Sequence, residues 1–297
     1  MAALEERAGK ESVALLGTGL MGRAMSERLL QKGYRLFVYN RTPEKVQPLV
    51  QLGAQAAEHP GAVIEQAPVV LLMLTDAAAI EDVVFSGGRK DFSGKTFIQM
   101  GTIAPEESRS FFSRVTAMKG DYLECPVLGS IREARAGNLI LMVGGTPEQY
   151  LRWKDLLSDI GDRVRRIGDV GQAAAMKLAL NQMIASLACA FSASMGIISH
   201  NQIDEELFMS ILKDSSLHAK MFDKKLPRMK TRDFSHPNFP VKHLRKDVML
   251  ILKETRKNKI SALHLEGVES IIMQALQNGL GDEDYSAVHN IIFPKKS

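Results

Sequence analysis

SVALLGTGLMG, residues 12–22, is the stretch of sequence that decides the fold. An apolar run typical of a buried strand leads into three glycines spaced G-x-G-x-x-G, and a helical pattern follows. In such a turn the first glycine permits a tight bend, the second lets a phosphate approach the backbone, and the third lets helix pack on strand. We therefore predict a dinucleotide site, with a purely structural turn as the alternative. The predicted binding residues are Gly17, Thr18, Gly19, Leu20, Met21 and Gly22.

Apolar runs alternate with amphipathic stretches as far as residue 168. Alternation of this kind predicts a largely parallel α/β sheet, and we assign residues 1–168 to a Rossmann-type, doubly wound domain. Strands are expected at 12–16, 35–39, 69–74, 96–100, 123–127 and 139–143. Helices are expected at 20–32, 43–52, 77–84, 105–118 and 147–158.

Residues 169–297 carry helical patterns and predict an all-α C-terminal domain, joined to the first by a long interdomain helix. Helices are expected at 171–200, 204–212, 241–257, 262–278 and 284–292, with an irregular basic connection around Pro227, Pro237 and Pro240. The uncharged stretch 178–203 is long enough to cross a bilayer. Its alanines, serines and amides favour packing inside protein, so no membrane span is expected.

The composition, 45% hydrophobic and 24% charged over 297 residues, is ordinary for a folded chain of about two domains. The net charge of +4 is too small to indicate nucleic-acid binding. Cys125 and Cys189 show no metal-site spacing and fit a reduced compartment. No secretory or transit signal is visible at the start of the chain, so a cytoplasmic protein is expected.

The end of the second predicted strand indicates which dinucleotide binds. An NAD enzyme usually has Asp or Glu here to hold the ribose 2′-OH, whereas this chain has Asn40-Arg41-Thr42, with Lys45 one turn onward. Guanidinium, hydroxyl and ammonium groups can all hold a 2′-phosphate, so NADP(H) is the predicted cofactor. The alternative is a solvated turn.

These and later motifs together resemble the β-hydroxyacid dehydrogenase family, which is related to 6-phosphogluconate dehydrogenase and includes 3-hydroxyisobutyrate dehydrogenases and glyoxylate and succinic semialdehyde reductases. The resemblance spans nearly the whole chain in order. The motifs are Gly17 to Gly22, Asn40-Arg41-Thr42, Thr102-Ile103-x-Pro105, Cys125-Pro126-Val127 with Gly129, Lys177 with Asn181, and Lys246-Asp247.

The resemblance implies that Lys177 is the catalytic lysine. Its place on the long uncharged helix could lower its pKa toward neutrality and make it a usable proton donor. Asn181, four residues later on the same helix face, could position the lysine or the substrate oxygen. The resemblance further implies cofactor contacts from Leu74, Thr75 and Thr102, and from Lys246, which would also reach the substrate.

Departures from the family pattern concern the substrate. Where the family usually has Pro-Val-Ser-Gly-Gly, with the serine and the next amides holding a carboxylate, this chain has Leu128, Gly129 and Ser130 after Pro126-Val127. The N–H groups of Gly129 and Ser130 are expected to remain available to an acid group. Further departures that predict a more apolar pocket are Gln99-Met100-Gly101-Thr102 for Asp-x-Ser-Thr, Leu180-Asn181 for paired asparagines, and Ser194 for a frequent glutamate.

The sequence thus predicts an NADPH-dependent oxidoreductase that acts on a small carbonyl acid or semialdehyde, or on the corresponding β-hydroxyacid. The predicted substrate-binding residues are Leu128, Gly129, Ser130, Lys177, Asn181 and Lys246. Two alternatives stay open: a noncatalytic NADP-binding or partner-binding module of the same fold, and an imine reductase. A homodimer or homotetramer formed through the helical domain is expected.

Overall fold

The computed structural model describes residues 10–295. Residues 1–9, on which the expectation about a secretory signal rests, lie outside the described part. The chain divides into two compact units between Lys177 and Leu178, inside a long helix. The strands of the first unit are β1 (Val13–Leu16), β2 (Leu36–Tyr39), β3 (Gln55–Ala56), β4 (Val69–Leu72), β5 (Thr96–Gln99), β6 (Asp121–Glu124), β7 (Val127–Leu128), β8 (Ile140–Gly144) and β9 (Arg163–Gly168).

The helices of the first unit connect these strands. They are α1 (Leu20–Gln31), α2 (Gln47–Gln51), α3 (Pro60–Glu65), α4 (Ala77–Ile80), α5 (Pro105–Ala117), α6 (Ile131–Ala136) and α7 (Pro147–Ile160), with a 3₁₀ turn at Pro43–Lys45 and a π turn at Glu81–Phe85. The helix α8 (Gln172–His200) then runs from the first unit into the second.

The strands form one sheet in the order β3-β2-β1-β4-β5-β6-β8-β7, with β9 paired to β8. The strands from β3 to β6 are parallel. Because β1 lies between β2 and β4, the order reverses there, and in such sheets ligands bind beyond the carboxyl ends of the strands at that point. This confirms the predicted doubly wound α/β fold and places the glycine-rich turn at the reversal.

Both faces of the central strands β1 and β4 are buried, as parallel strands covered by helices require. In β1, Val13 and Leu15 belong to one apolar cluster, while Ala14 and Leu16 belong to a second cluster on the opposite face. The continuous apolar run that predicted this strand is therefore explained by burial on two sides.

The far end of the sheet differs from the prediction. The strand expected at 123–127 is two strands, because Pro126 has no N–H for a ladder hydrogen bond. Both pair antiparallel with β8. The strand β9 was not predicted, since exposed arginines interrupt its apolar residues. Charged side chains of this kind protect the edge of a sheet from pairing with other chains.

The second unit is helical, as predicted. Its elements after α8 are α9 (Glu205–Asp214), α10 (Lys220–Thr231), α11 (Val241–Lys257), α12 (Leu263–Gln277), a 3₁₀ turn (Tyr285–Val288) and α13 (His289–Ile292). The expectation of an irregular connection at Pro227 is wrong, because this proline lies inside α10. Burial of Phe222 and Met229, with an ion pair of 2.7 Å between Lys225 Nζ and Asp284, outweighs the hydrogen bond that proline removes.

The helix α8 is long and apolar enough to cross a membrane by length and composition alone. Six of its side chains are buried in the core of the helical unit: Leu178, Ala185, Ala188, Cys189, Phe191 and Met195. A core helix of a soluble protein passes the same test of length and composition.

Candidate functional site

The glycine-rich turn after β1 has two glycines that the fold requires and one that faces open space. Gly17 has φ +100°, and a Cβ there would lie 2.3 Å from the carbonyl oxygen of Met73. A Cβ at Gly22 would lie 1.9 Å from the carbonyl oxygen of Gly17. A Cβ at Gly19 would meet no atom within 4 Å, and α1 begins at the next residue. This open space before the positive end of a 12-residue helix fits a pyrophosphate.

The turn after β2 is tied to the glycine-rich turn by Asn40. Its Oδ1 accepts the N–H of Thr18 at 3.1 Å, and its Nδ2 donates to the carbonyl of Thr42 at 3.1 Å. The Thr18 hydroxyl donates to the carbonyl of Lys45 at 3.4 Å. The donors of Thr18 thus hold the two turns together. Arg41 lies between these anchors, and both it and Lys45 are exposed at the sheet edge where a 2′-phosphate would lie.

The turns after β4 and β5 lie beside each other at the same edge of the sheet. Leu74 and Thr102 are half-buried, and Thr75 is exposed. A Cβ at Gly101 would lie 2.5 Å from the carbonyl oxygen of Leu74, so glycine is needed for the close approach of these turns. In the sequence, Gly101 is a departure that predicts a more apolar pocket. The structure gives a steric reason for glycine at this position. The side chain of Gln99 holds the same turn, with its Nε2 donating to the Gly101 carbonyl at 3.3 Å.

The segment after β6 differs from the expectation at Ser130. Its N–H donates to Glu133 Oε2 at 2.8 Å, and its hydroxyl donates to the same oxygen. The expectation that this N–H is available to a substrate acid is therefore wrong in this structure, because an internal carboxylate occupies it. Gly129 is exposed with φ +142°, and Leu128 is half-buried at the end of β7. This segment therefore offers a substrate acid fewer backbone N–H donors than the sequence predicted.

Lys177 lies in the second turn of α8, whose first turn is fastened to β6. The Oε1 of Glu124 accepts the backbone N–H groups of Gly171, Ala173 and Ala174 at 2.8, 2.8 and 3.0 Å. Glu124 is 1% exposed and ends β6, which pairs with β5. Thr102 lies in the turn that follows β5. The sheet therefore sets the start of the helix that bears the predicted catalytic lysine.

Asn181, Lys246 and Asp247 come together within the helical unit. Asn181 Nδ2 donates to Asp247 Oδ2 at 2.6 Å, and Lys246 Nζ lies 2.8 Å from Asp247 Oδ1. Asn181 and Asp247 are each 2% exposed. Within residues 10–295, Asn181 Oδ1 is buried and has no hydrogen-bond partner. Since an unpaired buried acceptor is costly, this oxygen is suited to a donor on a ligand.

Two glutamates that shape the site were not identified from the sequence. Glu133 stands three residues after Ser130, which is the S-x-x-E pattern of a helix start and could have been recognised. Glu124 pairs with backbone groups 47 to 50 residues later in the chain, and no local pattern indicates such a pairing. Ser194, expected to replace a family glutamate, donates to the carbonyl of Ala190 in its own helix at 3.1 Å.

Known proteins match this chain over nearly its whole length. Residues 12–168 match the family described as the NAD-binding domain of 6-phosphogluconate dehydrogenase, and residues 171–292 match that described as NAD-binding of NADP-dependent 3-hydroxyisobutyrate dehydrogenase. Glyoxylate/succinic semialdehyde reductase 1 of Arabidopsis thaliana is 33% identical over 279 residues, covering 93% of this chain and 96% of that protein.

Solved structures share the architecture at lower identity. A 3-hydroxyisobutyrate dehydrogenase from Salmonella typhimurium aligns with a TM-score of 0.86 at 21% identity, covering 95% of this chain and all of that one. An imine reductase from a Pseudomonas species aligns with a TM-score of 0.65, also at 21% identity, over 94% of this chain and 98% of its own.

Proposed function

Because the chain belongs to the β-hydroxyacid dehydrogenase family of nicotinamide-dependent oxidoreductases, we propose that it reduces a small carbonyl acid or semialdehyde with NADPH, or catalyses the reverse oxidation. The proposal has three parts: the choice of NADPH, the proton donor and the class of substrate. Each rests on different residues and can fail separately.

The choice of NADPH rests on the turn after β2. A carboxylate at this position would repel a 2′-phosphate, whereas this turn offers the exposed guanidinium of Arg41. The bonds of Asn40 to Thr18 and Thr42 hold the backbone on both sides of Arg41 in place. A guanidinium on a fixed backbone loses less freedom when it binds, which favours a tight contact with phosphate.

The proton donor is Lys177. When bound, the nicotinamide supplies the hydride that reduces the carbonyl carbon. Lys177 then protonates the carbonyl oxygen, while Asn181 and Lys246 hold the substrate. One observation supports this assignment above the others: Asn181 Oδ1 is buried and has no hydrogen-bond partner among the described residues. Asn181 follows the lysine by one helical turn, and its amide is oriented by the hydrogen bond from Nδ2 to Asp247. An acceptor fixed in this way can hold an ammonium or the hydroxyl of the reduced product.

The class of substrate is supported by one relative and by the charges near the site. Both compounds in the name of the Arabidopsis relative, glyoxylate and succinic semialdehyde, are acids. Lys246 offers a cation for such an acid, and Gly129 offers a backbone N–H at an exposed turn. The side chain of Leu128 favours a substrate with apolar carbons next to its carbonyl.

Two other functions remain as alternatives. Two features favour an imine reductase of this architecture. The side chain of Leu128 is apolar, and the Glu133 carboxylate accepts the N–H of Ser130, so this segment suits a neutral or cationic substrate. A noncatalytic module would bind cofactor and leave every carbonyl and imine unreduced. Substrate screening separates these alternatives, and replacement of the lysine tests the mechanism.

The test of the mechanism is Lys177→Ala, with Lys177→Arg and Lys154→Ala as comparisons. Lys177→Ala should lower kcat by about 100-fold to 10,000-fold, the range for general acid catalysis, and leave NADPH affinity nearly unchanged. Lys177→Arg should not restore activity, because guanidinium stays protonated near neutral pH. The exposed Lys154, in the same unit, should be replaceable without effect. Full activity of Lys177→Ala would refute the assignment.

A further inference from the structure

The carboxylate of Glu124 is buried at a place where an uncharged acceptor could make the same hydrogen bonds. Its Oε1 accepts three backbone N–H groups at the start of α8, and its Oε2 accepts the hydroxyl of Ser108, which also lies 2.9 Å from the hydroxyl of Tyr122. Space for the carboxylate comes from Gly144 on the neighbouring strand, where a Cβ would lie 2.5 Å from Oε1. A glutamine could satisfy the same N–H groups without a buried charge.

This charge is costly to the fold. Burial raises the pKa of the Glu124 carboxyl above its ordinary value, although the hydrogen bonds from Ser108 and the three N–H groups lower it in part. A raised pKa means that the folded protein disfavours the ionised form. A costly group that an uncharged isostere could replace is typical of functional sites.

Lys177 is close to this charge along the helix. It follows Ala173 by four residues and Ala174 by three, so its Cα lies roughly 4.5 to 6 Å further along the helix axis than theirs. Ala173 and Lys177 share a helix face, and the Cα–Cβ bonds of a helix tilt toward its N-terminus, which here is the end that Glu124 holds. A carboxylate held at this end of the helix favours the ammonium form of the lysine, because opposite charges attract.

We propose that Glu124 is a positioning residue for Lys177, which fixes the first turn of α8 on the sheet and keeps the lysine protonated through its negative charge. This inference rests on the proposed role of Lys177 as proton donor. Without the carboxylate, the lysine would lose its proton at a lower pH, and less of the enzyme could donate a proton. The opposing view is a carboxylate that acts as a helix cap and nothing more.

The deciding variant is Glu124→Gln, because the amide oxygen can still accept the three N–H groups while the charge is lost. The measurement is an NMR titration of ¹⁵N-labelled lysine side chains, with the signal of Lys177 assigned by its loss in Lys177→Arg. We expect the Lys177 ammonium to titrate about one pH unit lower in Glu124→Gln than in the natural protein. The basic limb of kcat for the NADPH-dependent reduction of succinic semialdehyde should move by the same amount.

Glu124→Ala and Thr146→Ala separate positioning from plain stability. Each removes an acceptor at a helix start of the same unit, since the Thr146 hydroxyl accepts the N–H of Gln149 at 3.2 Å in α7. We expect both to lower the melting temperature, and Glu124→Ala alone to lower kcat, by tenfold or more. If Glu124→Ala fails to fold, the Glu124→Gln titration still decides.

An unchanged titration of Lys177 in Glu124→Gln would overturn the inference, as would equal kcat values for Glu124→Ala and Thr146→Ala. Failure of the proposed function has a different signature, namely full activity of Lys177→Ala. The NMR titration does not depend on activity, so it decides the role of Glu124 in either case.

Discussion

Gly19→Ala should separate cofactor binding from folding, because the added methyl group enters space that the protein leaves empty. Gly19 has φ −67° and ψ −165°, which alanine adopts without strain, and its Cβ would meet no atom within 4 Å. Alanine should stabilise the fold by about 0.4 to 1 kcal/mol through the unfolded chain. It is a poorer N-cap than glycine by a similar amount, so the free energy of unfolding should change by less than about 0.5 kcal/mol.

The same methyl group should obstruct the pyrophosphate. Loss of one hydrogen bond between a backbone N–H and a charged phosphate costs about 1.5 to 3 kcal/mol, so the Kd for NADPH should rise by about tenfold to 150-fold. Thermal unfolding of the cofactor-free protein and NADPH titration by calorimetry measure the two effects separately.

Two other glycines serve as controls for Gly19→Ala. Gly267 lies in α12, and a Cβ there would also meet no atom within 4 Å. Gly267→Ala should therefore stabilise the fold by up to about 1 kcal/mol without changing the affinity for NADPH. Gly22→Ala should damage the fold itself, since its Cβ would lie 1.9 Å from a backbone oxygen. If the folded Gly19→Ala protein bound NADPH as tightly as the natural protein does, the assignment of the phosphate site would be refuted.

Three more predictions concern the cofactor, the substrate and pH. Arg41→Ala should weaken NADPH binding by about 1.5 to 3 kcal/mol and NADH binding much less, and equal affinity of the natural protein for both cofactors would contradict the choice of NADPH. Leu128→Ser should raise kcat/KM for short carboxylic semialdehydes by about tenfold, or roughly 1.4 kcal/mol of transition-state binding, and no gain on acids would remove Leu128 from the substrate site. Because the pKa of Glu124 is raised in the folded state, its contribution to stability is complete below the ordinary glutamate pKa and is lost as pH rises through the folded value. Urea unfolding between pH 4 and 8 should show this decline relative to Glu124→Gln, and parallel profiles would contradict it.

The phosphate turn could be predicted from the sequence because its requirements are local. Gly17 and Gly22 are needed by backbone atoms of the same short turn and of the adjacent strand end, and G-x-G-x-x-G records those contacts in one motif. Strands β1 and β4 were likewise recognisable, since burial on both faces makes each a continuous apolar run.

The features that could not be predicted depend on partners distant in the chain. Gly101 is explained by the carbonyl of Leu74, 27 residues earlier, and Glu124 by the helix that starts 48 residues later. The helix around Pro227 was missed because packing against the rest of the unit overrides the local effect of proline. Chemistry-bearing residue types were visible in the sequence, whereas the groups that orient them became visible in the fold.

We propose above that this chain transfers hydride from NADPH to a small carbonyl acid or semialdehyde. The most direct test is the rate of NADPH oxidation by the purified protein with glyoxylate, succinic semialdehyde, other short semialdehydes and cyclic imines, each measured beside Lys177→Ala. We expect turnover of at least one acid or semialdehyde by the natural protein, with a loss of 100-fold or more in the variant. Turnover of imines alone, or of no compound in the panel, would contradict it.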